Sequence, residues 1–349
     1  MRVLALRDRG VRIAAVGSYL PERVVRNEDL VALGVPMDPS EIERLTGIQE
    51  RRWASPEEAT SDLATRACAR ALASAAAPPG TIDRLFVATV SPDHMSPSTA
   101  CFVQRNLGLG QAPACDLGAA CSGFLYGLDA GARAVLTGDL RVLVCAADVR
   151  SRFLDLSDRA TAALFGDGAG AALLEPCKAG EGILAIGLAA DGAGVHSVHV
   201  PAGGSRRIAS PETVAERAHV IRMAEGPQVY LAAIEGMAEA GGRLLAALGM
   251  GWADVDLVVP HQPNRRILDR LARVVRLPEG KLFVNVERTG NVSGATCAIA
   301  LAEALASGRT GAGDKVLLLA AGAGYTAGAA LLVVDEALIA SSRGTSLAG

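Results

Sequence analysis

The sequence predicts a layered α/β protein that is built from a duplicated unit, and two observations carry this prediction. The first is a set of short, continuous apolar segments bounded by glycine, a pattern typical of strands in a sheet covered on both faces. The second is an internal repeat, because helix, turn and strand recur in the same order in both halves of the 349 residues. The simplest account is two α/β units whose strands are buried between helices.

The repeat consists of two pairs of segments. In the first pair, predicted helices at 61–76 and 229–248 each lead through a glycine-containing turn to a predicted strand, at 82–90 and 255–261. In the second pair, apolar strands at 140–146 and 315–320 precede glycine-rich strands at 164–174 and 322–332. Two pairs of similar segments in the same order favour a duplication of the chain over a chance similarity. We therefore expect an N-terminal half over residues 1–178 and a C-terminal half over 179–349.

Composition argues against several classes of partner and compartment. The formal net charge is −3 and aromatic residues make up 3% of the chain, so we expect no nucleic-acid partner. No apolar run is long enough to cross a bilayer, and residues 1–8 lack the apolar stretch of a secretory signal. The seven cysteines lack paired spacing, which favours a reduced, cytoplasmic protein. Cys101, Cys115 and His94 also lack metal-ligand spacing, so we expect no metal site.

Cys121 is the candidate nucleophile. Small residues surround it in the segment from Asp116 to Phe124, and a predicted helix opens at Gly123. A cysteine at a helix N-terminus lies at the positive end of the helix dipole, which favours the thiolate that attacks carbonyl groups. Small neighbours also let a substrate carbonyl approach the sulfur and backbone N–H groups. This segment alone is equally compatible with a buried structural cysteine.

A nucleophilic cysteine needs a polarising group and a site for the oxyanion, and three segments offer them. His261 lies at a strand-to-helix junction, where α/β folds place their sites, although it could simply cap the next helix. Asn291 follows a glycine at a predicted helix start, and Gly-Asn alone is a turn signal. The loop 322–324 fits an oxyanion turn better than a phosphate loop, because it lacks the Lys-Ser/Thr ending. The other four histidines are expected in loops or on the surface.

Taken together, these motifs resemble the β-ketoacyl-[acyl carrier protein] synthase III family of condensing enzymes. The resemblance extends from about residue 13 to 332. It implies a thiolase-like fold with α-β-α-β-α layers. It rests on Thr46-Gly47-Ile48, Ala119–Phe124, Phe165–Gly170, His261–Asn264, Gly290-Asn291 and the loop from Gly322 to Gly328.

The resemblance implies a two-step reaction. Cys121 would take an acyl group from acyl-CoA or an acyl-carrier protein, and malonyl-carrier protein would then lose CO₂. The resulting enolate, held by His261 and Asn291, would attack the acyl-cysteine and give a 3-oxoacyl thioester. Backbone N–H groups of Cys121 and Ala323 would form the oxyanion hole. No cofactor is implied, since decarboxylation supplies the carbanion, and a homodimer is implied in which the loop 94–97 closes the partner's acyl pocket.

The substrate-binding positions partly depart from the family pattern. Arg159 and Asn264 are retained as implied coenzyme A contacts, whereas Glu41 stands where relatives usually carry tryptophan. Ser96 replaces the phenylalanine that commonly seals the acyl pocket. We therefore expect a larger or more polar acyl group, or a donor on a carrier protein. Fatty-acid initiation and a specialised-metabolite pathway both stay open.

The predicted helix after His261 is the candidate docking surface for the carrier protein. Arg266, Arg270 and Arg273 fall along one side of it, where they would steer an acidic carrier. The alternative is a solvated face whose arginines pair with local acids such as Asp269. Two other functions also stay open. One is acyl transfer to an alcohol or amine without condensation, and the other is a non-catalytic partner subunit of another synthase.

Overall fold

The computed structural model describes residues 1–5 and 9–342. Residues 6–8 of the N-terminal segment and 343–349, the end of the second predicted half, lie outside the described residues. The strands are β1 (Arg2–Ala5), β2 (Gly10–Tyr19), β3 (Arg23–Arg26), β4 (Glu50–Trp53), β5 (Arg84–Ala88), β6 (Ala114–Leu117), β7 (Val142–Asp148), β8 (Gly168–Cys177), β9 (Ile183–Ala190), β10 (Val198–His199), β11 (Arg222–Met223), β12 (Leu257–Pro260), β13 (Lys315–Gly322) and β14 (Thr326–Val333).

The helices alternate with these strands along the chain. They are α1 (Asn27–Ala32), α2 (Pro39–Thr46), α3 (Thr60–Ser74), α4 (Thr99–Leu107), α5 (Gly123–Leu136), α6 (Pro211–Ala215), α7 (Gly226–Ala247), α8 (Arg265–Val274), α9 (Val286–Thr289), α10 (Thr296–Ala306) and α11 (Glu336–Ser342). Short 3₁₀ turns at Ala120–Ser122 and Ser293–Ala295 come immediately before α5 and α10.

Two five-stranded sheets repeat one topology, which confirms the predicted duplication. Their orders are β2-β8-β7-β5-β6 and β1-β9-β14-β13-β12. Four strands of one sheet match four of the other: β2, β8, β7 and β5 correspond, in this order, to β9, β14, β13 and β12. In both sheets, the first two pairings along this order are antiparallel and the third is parallel. The chain passes from one sheet to the other between β8 and β9. Strand β1 is the exception, because it pairs with β9 and adds N-terminal residues to the second sheet.

The helices complete five layers in the predicted α-β-α-β-α order. Helices α3 and α4 pack on the outer face of the first sheet, α7 and α8 pack on the outer face of the second, and α5 and α10 lie between the sheets. Helix α10 is buried over ten consecutive residues from Thr296 to Leu305, as expected for a helix that is apolar on all sides and sits in a central layer. Within the described residues, no helix is both long and apolar enough to cross a membrane.

The duplication brings the N-termini of the two central helices together. Ala120 and Ser293 hold equivalent left-handed positions before α5 and α10, with φ of 46° and 50°. A side chain at Gly294 would place its Cβ 3.0 Å from the Ala120 carbonyl oxygen and 3.7 Å from the Gly123 Cα. Glycine at 294 therefore allows the two turns to meet. The segments that contain Cys121 and Asn291 converge at this point.

Candidate active site

Cys121 lies in the 3₁₀ turn that opens helix α5, on the wall of a cavity of about 970 Å³. Its Sγ is 3.9 Å from the Ser293 Oγ of the opposite half. The end of β13 packs directly behind it, because a Cβ at Gly322 would lie 2.7 Å from the Cys121 backbone nitrogen. Ala323 follows Gly322 and lines the same cavity. Both residues expected to supply oxyanion-hole N–H groups thus lie at one wall.

The protonation state of Cys121 differs from the sequence prediction. Burial raises the pKa of its thiol to about 11, and the contact with Ser293 and the charge of Arg150 only partly offset that effect. Burial therefore opposes the thiolate that the helix N-terminus was expected to favour. Loss of hydration is the largest cause of this shift, although Cys121 stays half-buried at the cavity wall. At neutral pH the thiol keeps its proton, which must leave during acyl transfer.

His261 follows β12 and is only 2% exposed. Its backbone N–H donates to the Leu319 carbonyl at 2.6 Å, which holds it at the end of the second sheet. Burial lowers the pKa of the imidazole to about 3, so the ring is neutral at physiological pH. Helix α8 is capped by Asn264 instead, whose Oδ1 accepts from the Ile267 N–H at 2.9 Å. The alternative role of His261 as a helix cap is therefore wrong.

Thr296 controls which imidazole nitrogen carries the proton. Its Oγ1 lies 2.6 Å from His261 Nδ1 and 3.0 Å from the Ser293 carbonyl oxygen. When the single hydroxyl hydrogen points to Nδ1, the ring hydrogen is on Nε2, which is then a donor. When the hydroxyl donates to Ser293, Nδ1 carries the hydrogen and Nε2 is an acceptor. The two hydroxyl orientations thus match the two neutral tautomers of His261, and passage from the base form to the donor form also requires a proton exchange that moves the ring hydrogen from Nδ1 to Nε2.

Asn291 presents its amide N–H₂ group to the cavity. Its Oδ1 accepts from the Ser293 N–H at 2.8 Å, which leaves Nδ2 as the free donor. The backbone is anchored to the first half of the chain, since the Asn291 N–H donates to the Leu164 carbonyl and its own carbonyl accepts from Gly166. Asn291 is 6% exposed and lines the same cavity as Cys121 and His261. Three segments that are far apart in sequence therefore meet at one site.

The predicted substrate contacts fall at different places. Arg159 lines the cavity, but its guanidinium pairs with Glu41 at 2.7 Å, which neutralises much of its charge. Asn264 also lines the cavity, with its Oδ1 engaged in the α8 cap. Ser96 is exposed and is not among the described residues that line the cavity of its own chain. Its implied place in a partner's pocket stays a prediction.

The three predicted docking arginines are exposed on α8, and Arg266 reaches the cavity wall. Asp269 of this helix and Glu287 are both engaged by Arg265, at 2.7 and 2.6 Å. In the described part of the chain, no carboxylate oxygen lies within 4 Å of the guanidinium groups of Arg266, Arg270 or Arg273. Their charges stay available for a partner.

Several cavity residues were missed by the sequence analysis. His199, which we expected on the surface, lines the cavity and its Nδ1 is buried without a partner. Thr296 and Ser293 could have been inferred from their place beside Asn291 at a helix start. Arg150 comes shortly after the end of the buried strand β7, and His261 was selected from the sequence because it holds the same kind of position after β12. No cluster of three or more His, Cys, Asp or Glu in residues 1–5 and 9–342 could hold a metal ion.

Comparisons with known proteins agree on one family. A family model of 3-oxoacyl-[acyl-carrier-protein] synthase III matches residues 115–192, and a model of its C-terminal region matches residues 245–334. The β-ketoacyl-[acyl-carrier-protein] synthase III of Caldanaerobacter subterraneus is 45% identical over 315 residues, which cover 90% of this chain and 95% of that protein.

Two solved structures extend the comparison to the fold. The 3-oxoacyl-[acyl-carrier-protein] synthase III of Aquifex aeolicus superposes with a TM-score of 0.85 at 37% identity, over 93% of this chain and all of that one. A priming β-ketosynthase from a polyketide biosynthetic pathway superposes with a TM-score of 0.86 at 32% identity, over 95% of this chain and 98% of that one.

Proposed function

The chain belongs to the β-ketoacyl-[acyl-carrier-protein] synthase III family, and from this premise we propose that it carries out a decarboxylative Claisen condensation. An acyl group passes from acyl-CoA or an acyl-carrier protein to Cys121, and then to a carbanion formed from malonyl-carrier protein. The observation that carries the proposal is the convergence of a thiol, a neutral imidazole and an amide donor in one cavity. Fatty-acid initiation and polyketide priming begin with this same chemistry.

Loading is a transthioesterification that requires removal of the Cys121 proton. Nε2 of His261 can take up that proton as the sulfur attacks, when Thr296 donates to Ser293 and leaves Nε2 free, because burial makes the imidazole too weak a base to remove the proton beforehand. The sulfur then attacks the donor carbonyl, the bond to the donor sulfur breaks, and the proton passes to the leaving thiolate. The N–H groups of Cys121 and Ala323 would stabilise the transient oxyanion.

Decarboxylation uses the same residues as hydrogen-bond donors. The thioester carbonyl of the malonyl group accepts from Asn291 Nδ2 and from Nε2 of His261, whose ring hydrogen is on Nε2 when Thr296 donates to Nδ1. The bond to the carboxylate breaks, CO₂ leaves, and its electron pair forms the enolate. Both donors are fixed before the charge develops, which is the arrangement that lowers such barriers most. The enolate carbon then attacks the acyl-cysteine, and the Cys121 thiolate departs and takes up one proton from solvent.

The surface of α8 and the end strand β6 support the proposed partners. The unpaired arginines of α8 support docking of an acidic carrier protein beside the cavity. Strand β6 ends the first sheet, and an edge strand can pair with a second copy, which supports a homodimer. The composition favours a cytoplasmic location.

Product analysis with matched variants tests this function. Wild-type protein, an acyl donor and malonyl-carrier protein should give one 3-oxoacyl-carrier product and one CO₂ for each acyl group consumed. Asn291→Ala should keep loading but decarboxylate on the order of 10²-fold more slowly. His261→Ala should slow both steps, because the protonated thiol also needs a base. Condensation at the wild-type rate in Asn291→Ala would remove that residue from the mechanism.

A further inference from the structure

A buried arginine lies in the cavity wall and takes no part in the condensation derived above. Arg150 is 7% exposed and lines the cavity together with Cys121, Val90 and Phe165. Its positive charge is close enough to lower the pKa of the Cys121 thiol. Arg150 thus belongs to the wall of the same cavity that would hold an acyl group on Cys121.

The guanidinium of Arg150 lacks the partners that a buried cation requires. Its Nη1 reaches the Val90 carbonyl at a long 3.4 Å, and its Nε is buried without a partner. Among the described residues, no carboxylate oxygen lies within 4 Å of it. Arg51 is also buried and its Nε likewise lacks a partner, but its terminal nitrogens bind three oxygen acceptors, those of Val25, Asn27 and Ala163. Burial of a cation with so few partners is costly unless a ligand supplies them.

The backbone and the ring contacts hold Arg150 in this position. The buried carboxylate of Asp167 accepts from the Arg150 N–H at 2.7 Å and from the Ser151 N–H at 2.8 Å. The guanidinium carbon lies 5.9 Å from the Phe153 ring centroid and 5.5 Å from that of Phe165, within cation–π range. The side chain is therefore held inside the cavity wall instead of extending to solvent. Such a preorganised cation is suited to bind an anion.

We propose that Arg150 recognises a carboxylate at the far end of the acyl group that Cys121 takes up. The donor would then be the thioester of a dicarboxylic acid, with one carboxyl group in the thioester and the other on Arg150. A guanidinium fork can bind a carboxylate through two parallel N–H···O bonds. This inference rests on the proposed function, since it concerns the substrate of the same site. The loading step is unchanged: the Cys121 sulfur bonds to the acyl carbon, and the donor thiol leaves with the proton.

The carboxylate of the malonyl group is a poorer occupant of this position. That carboxylate must leave as CO₂, and an ion pair with Arg150 would stabilise it before the bond breaks. Stabilisation of the ground state alone slows a reaction. Arg150 is therefore better suited to a carboxylate that stays on the product.

Paired donors of similar shape test the proposal. Succinyl-CoA ends in a carboxylate where 4-methylpentanoyl-CoA ends in an isopropyl group. Glutaryl-CoA and 5-methylhexanoyl-CoA form the same kind of pair with one more CH₂ group. Wild-type protein should load the acidic member of at least one pair faster, as followed by intact mass. Arg150→Met should reduce that acid-to-neutral ratio by about 30-fold or more, because it removes one partner of a buried charge pair. Arg150→Lys should restore part of the ratio, since it keeps the charge without the fork.

Controls separate this inference from the proposed function. Arg152→Met removes an exposed positive charge from the same loop and should leave the ratio unchanged. If wild-type protein loads and condenses neutral donors well and shows no preference for acidic donors, the inference is overturned and the proposed condensation stands. If Arg150→Met and Arg150→Lys slow loading from the acidic and the neutral donor equally, Arg150 acts only on the reactivity of the Cys121 thiol. If malonyl decarboxylation is slower and the acid-to-neutral loading ratio is unchanged, Arg150 binds the malonyl group instead. Each of these two outcomes would overturn the proposal. Failure of every donor to acylate Cys121 would instead contradict the proposed function.

Discussion

Replacement of Thr296 by valine removes one hydroxyl group from the site and almost nothing else. The side chain is 2% exposed, and its Oγ1 contacts His261 Nδ1 at 2.6 Å. Valine has nearly the same shape, so the cavity keeps its walls. The imidazole, however, loses its partner on Nδ1 in a buried environment. Thr296 thus acts as a positioning residue for His261, and valine also removes its hydrogen bond to the Ser293 carbonyl.

The expected magnitude follows from that lost contact. A buried polar atom left without a partner costs about 1–3 kcal/mol. If the ring must bear this cost to hold its reactive orientation, decarboxylation slows by about 5- to 150-fold. The slower decarboxylation should appear as a lower kcat with KM unchanged, because the hydrogen bond from His261 to the developing enolate oxygen is strongest in the transition state.

Single-turnover decarboxylation of malonyl-carrier protein measures this effect. Thr296→Ser is the matched control, because it keeps the hydroxyl and should stay within a few-fold of wild type. A merely structural role would lower thermal stability in Thr296→Val without a selective loss of kcat. Equal decarboxylation rates in the valine and serine variants would refute the role assigned to this hydroxyl.

Two further predictions concern the thiol and the docking surface. The rate of Cys121 alkylation by iodoacetamide should keep rising with pH toward about 11, and Ser293→Ala should move the curve to higher pH, because the Ser293 contact lowers the pKa. A plateau below pH 8 would show that the thiolate is already present at neutral pH. Reversal of Arg266 and Arg273 to Glu should raise KM for malonyl-carrier protein about 10-fold at low salt and leave a small CoA donor unaffected. Arg265→Gln is the control, since its charge is already paired; equal carrier kinetics in both variants would exclude α8 as the docking surface.

Much of the fold was predictable because the chain repeats itself. The glycine-bounded apolar segments predicted the strands that became β5, β7, β8, β12, β13 and β14, and the structure confirms the layers, whereas β2, β6 and β9 were not predicted. The place of β1 was not predictable, since nothing in Arg2–Ala5 indicates that it pairs with β9 across the boundary between the halves. Pairing partners across such a distance depend on how the two sheets stack.

The site was predictable where polar residues stand at the ends of strands or the starts of helices. Cys121, His261 and Asn291 all occupy such positions. The protonation state of Cys121 was not predictable, because the helix dipole can be inferred from sequence but the extent of burial cannot. Arg150 also follows a strand end, but arginine is usually exposed, and only the fold shows that its side chain lies against Phe153 and Phe165.

A pulse–chase experiment tests the central claim most directly. The protein is loaded with a ¹³C-labelled acyl donor, digested in one sample, and chased with malonyl-carrier protein in another. The account predicts that the label maps to the Cys121 peptide, is absent in Cys121→Ala, and moves during the chase into a 3-oxoacyl-carrier product that has lost one CO₂ from malonyl. Label on Cys101, Cys115 or Cys145, or label that stays on Cys121 while malonyl-carrier protein remains intact, would contradict it.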